Sequence, residues 1–400
     1  MRTAVAAVAV MLIAVGAWFA IGPGAGPPIG SCASTSFAVA EAADAPPFGT
    51  IAWRDATVLD PADDFQEEIV LDVEAFNGRF VAIGRRSNGP QMHAFVLRSS
   101  DGVEWAQDPE DADRFAGTEL AHLVVVDRRL FALGSASTDD RGGTRAAVWL
   151  TDDGVAWSEA TGPFNERWAT ALAGGDGDLL MFGSEADSGA TVAWRSADGT
   201  SWEEQALELP VPPGEGRVSS VALDGGGWLG VGSISRGADA ASAAVVWRSH
   251  DGRSWSCEVL DSRDFTRADA VELHVSGARA LAVGSATRGC GLSASCPGFG
   301  MTWSAHDDEW ATARTESHAG PPISSAGFAS DSRGFLLVRG GTAWSSADGT
   351  YWTELDQLAG LTSVGAVAAV VVDGSRVVAV GSSNDGSNAD AWLATGDLAP

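Results

Sequence analysis

Apolar residues along this chain come in short runs separated by polar turns, and one run recurs at a regular interval: an apolar triplet closed by glycine, usually followed by serine. It reads VAIG to Gly84, FALGS at Gly134, LMFGS at Gly183, LGVGS at Gly232, LAVGS at Gly284, LLVRGG at Gly340 and VAVGS at Gly381. The seven copies lie 41 to 56 residues apart, and the sixth is irregular, with Arg339 set between triplet and glycine. A second signature follows, in which an apolar-Trp pair leads through a polar turn to another tryptophan. The turns are SSDGVEW to Trp105, TDDGVAW to Trp157, SADGTSW to Trp202, SHDGRSW to Trp255 and SADGTYW to Trp352. Paired tryptophans stand eight residues apart (Trp149 and Trp157, Trp194 and Trp202, Trp247 and Trp255, Trp344 and Trp352), and a degenerate fifth copy places Trp303 and Trp310 seven apart.

Between the signatures lie β-rich runs such as LAHLVVVD and AVAAVVVD bounded by Gly, Asp and Asn, which is the pattern of strands joined by hairpins. Each repeat therefore holds four strands. A unit of that size cannot cover both faces of its small sheet, so repeats stack around an axis and bury one another. The expected fold is all-β, a seven-bladed β-propeller of four-stranded blades. Its last repeat reaches Trp392 in AWLATGDLAP and lacks an outer strand, while IAWRDATVL, with Trp53, precedes the first complete repeat. Pairing residues near 51–59 with the strand near 388–394 would close the last blade with the N-terminal strand and remove the open edges.

Ahead of the repeats, Arg2 is followed by an apolar run from Ala4 to Ile21 and then by GPGAGPP. Its 18 residues rise about 27 Å as a helix, close to the hydrocarbon thickness of a bilayer and longer than the core of an ordinary signal peptide. Residues 1–22 are read as a signal or anchor segment, 23–47 as a linker and 48–400 as the propeller. Three fates fit the leader. It is retained as an anchor; or Ile29-Gly30-Ser31-Cys32, which resembles a bacterial lipobox, is processed so that Cys32 carries lipid; or cleavage follows Ala38-Val39-Ala40 and frees the chain. All three export it.

Composition narrows the partners. A formal charge of −28, with 25 basic residues that are all arginine, opposes binding to nucleic acid or anionic headgroups, both of which need clustered cations. Membrane contact is expected only through the N-terminal segment, and the acidic surface suits a soluble monomer outside the cell.

The Ser/Thr-x-Asp-Gly-x-x-Trp turn resembles the Asp-box of bacterial neuraminidase-like repeats, in a form one residue shorter between Asp and Gly. The resemblance spans residues from about 50 to 400 and implies a propeller, while its function is shared out among sialidases, other glycoside hydrolases, receptors and assembly factors. In such a turn Asp101, Asp153, Asp198, Asp251 and Asp348 are structural: each accepts backbone N–H groups, the glycine takes positive φ, and the tryptophan packs between blades. Thirteen of the 16 tryptophans fall on repeat positions, leaving Trp168 and Trp228 as the exported ones outside the pattern.

A sialidase reading needs an arginine cluster, a tyrosine nucleophile paired with glutamate, and an acid/base aspartate. The lone tyrosine, Tyr351, lies inside the sixth box, and the Arg-Ile-Pro motif of that family is missing. Arg114, Arg167, Arg217 and Arg267 recur where one repeat hands over to the next, on the face opposite the boxes, and form the candidate binding face. They read either as an anion site or as salt bridges to Glu119, Glu166, Glu215 and Asp269. Loop acids Asp63, Glu110, Glu166 and Asp264 leave a two-carboxylate glycoside hydrolase open. The six histidines show no metal-ligand spacing, and the Gly-rich AGGDGDLL and DGGGWLG read as hairpin turns, so no metal, cofactor or catalytic constellation is expected. The leading reading is a non-catalytic exported propeller that binds a protein or cell-surface glycan or serves as an envelope scaffold; the rival is a glycoside hydrolase of sialidase-like type.

Four cysteines in an exported chain invite disulfides. Cys290 and Cys296, six residues apart in RGCGLSASCPG, are expected to bond to each other; Cys257 is then unpaired, or bonds Cys290 instead. Peptide mapping without reduction should return Cys290 and Cys296 in one linked fragment, and a free Cys296 would refute that pairing.

Overall fold

The computed structural model describes residues 32–34 and 47–399, apart from 55, 60–66, 89–90, 139–142, 176, 226, 236–240, 261–264, 288–297, 307–308, 315–325, 340, 358–365 and 385–388. It is a ring of seven antiparallel blades. Their innermost strands are Glu67–Phe76, Thr118–Val126, Arg167–Gly175, Gly216–Asp224, Arg267–Ser276, Ala326–Asp331 and Ala366–Asp373. Each continues outward through hairpins; in blade 1 the tight turn Asn77-Gly78 has φ of 50° and 72°, the both-positive geometry that an Asn-Gly pair adopts readily.

Blade 7 is completed from the other end of the chain, as the repeat pattern anticipates. Its third strand, Ala389–Leu398, pairs antiparallel with Ile51–Trp53 (Ile51 opposite Leu398) and with Thr57–Val58 (Val58 opposite Trp392). Ring closure is equally visible in the packing. The hydrophobic core of the described residues divides into seven clusters, each shared by two adjacent blades. The cluster joining blades 7 and 1 sets Val378, Val380, Ala391 and Leu393 against Val70, Phe80, Phe95 and Leu97. Repeat tryptophans fill these wedges: Trp194, fully buried, meets Phe164 edge-on at 5.6 Å, and Trp149 meets Phe115 at 4.9 Å. At roughly 25 cal/mol per Å², burying about 200 Å² of one tryptophan contributes about 5 kcal/mol before entropy is counted.

The recurrent glycine has a steric cause. In six blades the innermost strand carries one extra residue opposite it: the register slips between Val70 and Asp72, Leu120 and His122, Ala169 and Ala171, Val218 and Ser220, Ala270 and Glu272, and Val367 and Ala369. Such a bulge pushes the inner strand's backbone toward its partner. A Cβ on Gly84 would lie 2.3 Å from the Ile69 carbonyl oxygen, and one on Gly134 1.9 Å from that of Glu119. Blade 6 pairs without a bulge, with Arg339 opposite Ala326, and its tight glycine is Gly327 on the innermost strand, whose Cβ would meet Val370 Cγ2 of blade 7 at 2.7 Å. Its irregular signature at Arg339 follows from that difference.

The cysteines correct the sequence reading. Cys32 is bonded to Cys257, with a Cα separation of 4.7 Å, so Cys257 is neither unpaired nor joined to Cys290. The bridge also occupies the Cys32 sulfur, the atom that lipidation would need. Ala33 and Ser34 add a short parallel strand beside Glu258 and Val259 on the outer edge of blade 4. A disulfide of this kind points to an oxidising, extracytoplasmic location. Cys290 and Cys296, and the apolar run 4–21, lie outside the described residues; among those described, no helix is long and apolar enough to cross a membrane.

Gly134→Ala should destabilise the fold by about 3 kcal/mol, because backbone rather than a movable side chain blocks the new methyl. Gly225→Ala, at φ 57° with open space around it, should cost only about 1 kcal/mol. Urea unfolding of the two variants checks the order, and equal losses would remove the bulge as the cause of the glycine signature.

Candidate functional site

The bulges decide which side chains reach the ring axis. Beyond each one, alternate residues of the innermost strand point into the interface with the preceding blade, as the buried Val73, Leu123, Val221 and Leu273 do, and the residues between them lie toward the following blade and the axis. The first inward register is Asp72, His122, Ala171, Ser220, Glu272, Gly327 and Ala369; the second is Glu74, Val124, Ala173, Ala222, His274, Ala329 and Val371. Apart from Gly327, Ala173 and Ala222, they line an axial cavity of about 600 Å³ to which the innermost strands of all seven blades contribute. Its walls are mostly small or apolar. Five titratable groups stand out against them, on blades 1, 2 and 5.

These groups are electrostatically linked. Asp72 accepts N–H bonds from its neighbour Val73 at 2.8 Å and, across the blade boundary, from Leu123 at 2.7 Å. Burial pushes its carboxyl up to about 7 against those two bonds, and the charge of Glu272 adds to the rise. Glu74 is pushed up to about 8, first by burial and then by the charge of Asp72. His122 protrudes from blade 2 into the channel, where the surrounding protein lowers its affinity for a proton and Glu272 opposes that shift. His274 completes the group, its Nε2 3.0 Å from Glu272 Oε1. The arrangement gathers two carboxyls of raised proton affinity, Asp72 and Glu74, with Glu272 and two histidines, a set that can hydrogen-bond a polar ligand. Among the described residues no group of His, Cys, Asp and Glu is arranged to hold a metal ion.

None of these five residues was a site candidate in the sequence. A signal was present: IVLDVEAF, LAHLVVV and AVELHVS each interrupt an apolar innermost strand with polar residues at the alternation that faces one side.

The candidate arginines do not enter the cavity. Arg114 bonds the fully buried Asp111 and lies 3.5 Å from Glu110, whose side chain is 81% exposed. Arg167 bonds Glu204 at 2.7 Å and sits 3.9 Å from Glu185. Both therefore serve rim ion pairs, but with partners other than the expected ones; Glu119 instead pairs with Arg85 at 2.6 Å. Arg217 and Arg267 are exposed. Of the loop acids, Glu110 and Glu166 do not line the cavity, and Asp63 and Asp264 lie outside the described residues.

The turn aspartates all perform one local task. Asp101 accepts the N–H groups of Val103 and Glu104 at 2.9 and 3.0 Å, and Asp153, Asp198, Asp251 and Asp348 repeat the geometry at 2.7 to 3.1 Å. These bonds hold the Asp251 carboxyl down to about 2, the Ser254 N–H contributing most. The turns also latch blades together: the Gly154 carbonyl accepts from Arg98 Nε of blade 1 at 2.6 Å, and the Asp251 carbonyl from Arg195 of blade 3 at 3.0 Å. Tyr351 is exposed in the Asp348 turn of blade 6 and takes no part in the cavity. Trp228 is buried beneath the blade 4 turn, whereas Trp168 is 43% exposed, two residues from the cavity-lining Thr170 on the side away from the turns.

No family model matches the chain, and no curated protein matches it. Solved structures do. A mutant α-L-arabinofuranosidase from Fusarium graminearum, in complex with an iminosugar inhibitor, is 11% identical at a TM-score of 0.47, covering 87% of this chain and 98% of its own. A Trypanosoma rangeli sialidase mutant displaying trans-sialidase activity is 10% identical at 0.45, over 89% of this chain and 60% of its own. The β-propeller domain of the Trilobed protease from Pyrococcus furiosus, described as an open velcro topology, is 10% identical at 0.47, over 82% and 93%. These are likenesses in fold, and the propeller assignment rests on the chain's own strand pairing.

The raised carboxyls carry a pH signature. Between the ordinary values of 3.8 and 4.5 and the folded values of about 7 and 8, the native state binds more protons than the unfolded chain at Asp72 and Glu74, so stability falls as pH rises through that window. His122 has the opposite sign and costs stability only as pH drops below its ordinary 6.5. The Tm should therefore fall by several degrees from pH 6.5 to 8.5, and a D72N/E74Q double variant should lose most of that slope; an unchanged slope would locate the titrating groups elsewhere.

Proposed function

We propose that this chain is an exported, non-catalytic propeller that binds a glycan at the end of its axial channel remote from the turns. The observation that carries the reading is the axial cavity itself, where Asp72, Glu74, His122, Glu272 and His274 offer hydrogen-bonding groups among small apolar walls. Sugars need both kinds of surface, polar atoms for hydroxyls and a flat apolar plate for the ring face. Trp168 supplies such a plate beside the cavity, its indole left 43% exposed on an innermost strand. The turns, read as shortened Asp-boxes, supply architecture and no chemistry.

One observation favours a second reading, glycoside hydrolysis. Asp72, whose carboxyl is held up to about 7, shares the channel with Glu272, and an acid that keeps its proton near a second carboxylate is the pairing such hydrolases employ. A tyrosine nucleophile is not available to it, because Tyr351 is remote from the channel.

A panel of neutral and acidic oligosaccharides separates the two. The binding reading expects micromolar to millimolar retention without release of reducing ends, weakened about tenfold in Trp168→Ala, or about 1.4 kcal/mol. Turnover that disappears in both Asp72→Asn and Glu272→Gln would establish the hydrolase instead.

A further inference from the structure

The Cys32–Cys257 bridge bears on the fate of the N-terminal leader, which the sequence leaves open among three routes. Acylation at the lipobox would consume the Cys32 sulfur, and cleavage after Ala40 would remove residues 32–34 altogether. Both are incompatible with a bridge to Cys257 and with the pairing of Ala33 and Ser34 beside Glu258 and Val259. Cys32 is half-buried against the core between blades 3 and 4, as a residue that belongs to the folded ring would be.

We infer that the leader is retained as the membrane anchor and is clamped by this disulfide to blade 4, whose outer edge thereby becomes the membrane-proximal side of the propeller. The inference rests on the reading that the chain is exported. Ten residues, 22–31, separate the apolar run from Cys32, and a fully extended chain of that length spans at most about 35 Å. The partner of this edge is a lipid bilayer reached through the tether, not a surface bound by charge, in keeping with the net charge of −28. Formation of the clamp takes two electrons and two protons from the Cys32 and Cys257 thiols. A disulfide-bearing oxidant of the exported compartment accepts them and becomes a dithiol.

The test uses the full chain in its own membrane fraction and in phosphatidylcholine vesicles. Intact mass and non-reducing digestion should show an unprocessed N-terminus and a fragment linking Cys32 to Cys257. Energy transfer to a rhodamine-labelled phospholipid should be at least twofold greater from a donor dye at position 256, on blade 4, than from one at position 106, on blade 1. Cys32→Ser, which leaves Cys257 in the core, should abolish that difference while the ring stays folded by circular dichroism; if that variant does not fold, chemical reduction of the assembled protein serves in its place. A mature chain beginning anywhere between Gly22 and Glu41, a diacylglyceryl group on Cys32, or equal transfer from both dyes in the oxidised protein would overturn the inference and leave export intact. Cytoplasmic protein with both cysteines as thiols would overturn the export reading itself.

Discussion

Everything in this molecule depends on a packing requirement that no blade can meet alone. Each four-stranded sheet has two apolar faces and too few residues to cover either, so its core exists only as a wedge shared with a neighbour. The seven core clusters lie at seven interfaces for that reason, and an unclosed ring would leave two apolar faces in water. Closure by Ile51–Trp53 and Thr57–Val58 on the strand Ala389–Leu398 is therefore the step on which the other interfaces rely. It ties the two ends of the repeat array into one cooperative unit, and burial of Phe48 and Ile51 in the core between blades 6 and 7 gives that tie its hydrophobic share.

The bulge opposite the recurrent glycine links architecture to chemistry. One extra residue in an innermost strand forces its carbonyl against the second strand, which only glycine tolerates, and the same slip sets which side chains face the axis. Where that inward position is Ala171 or Ala369 the result is plain wall; where it is Asp72, His122 or Glu272 the result is a cluster of titratable groups on the channel wall. The energetic consequences oppose one another. Glycine opposite the bulge relieves strain, while carboxyls held near pH 7 and 8 cost stability at neutral pH. Groups that weaken a fold in this way are candidates for a role outside it.

The turns on the opposite face illustrate the contrary case. Their aspartates accept N–H and hydroxyl groups of their own turns, bonds that hold the carboxyls of Asp101, Asp153, Asp198 and Asp251 down rather than up. Their glycines and carbonyls engage the preceding blade, as Gly154 does with Arg98 and Gly102 with Thr395. Repetition around the ring, one turn to a blade, distributes them where no single ligand could collect them. Rim arginines behave likewise, Arg114 and Arg167 being spent on nearby acids.

Periodicity alone determined the number of blades, the strands within them and the terminus that completes the last one, because those features follow from local spacing and from which strand is missing. The turn aspartates were equally legible, since their bonds reach no further than three residues. Tertiary structure alone decided which polar residues meet. Asp72 and Glu272 lie 200 positions apart, and their convergence depends on a one-residue slip in register that leaves no mark in composition. The partner of Cys257 was hidden for the same reason: Cys290 is nearer along the chain, but the short strand Ala33–Ser34 beside Glu258 and Val259 brings Cys32 to it across 225 residues. Local chemistry is written in spacing, whereas long-range encounters are set by how seven sheets close into a ring.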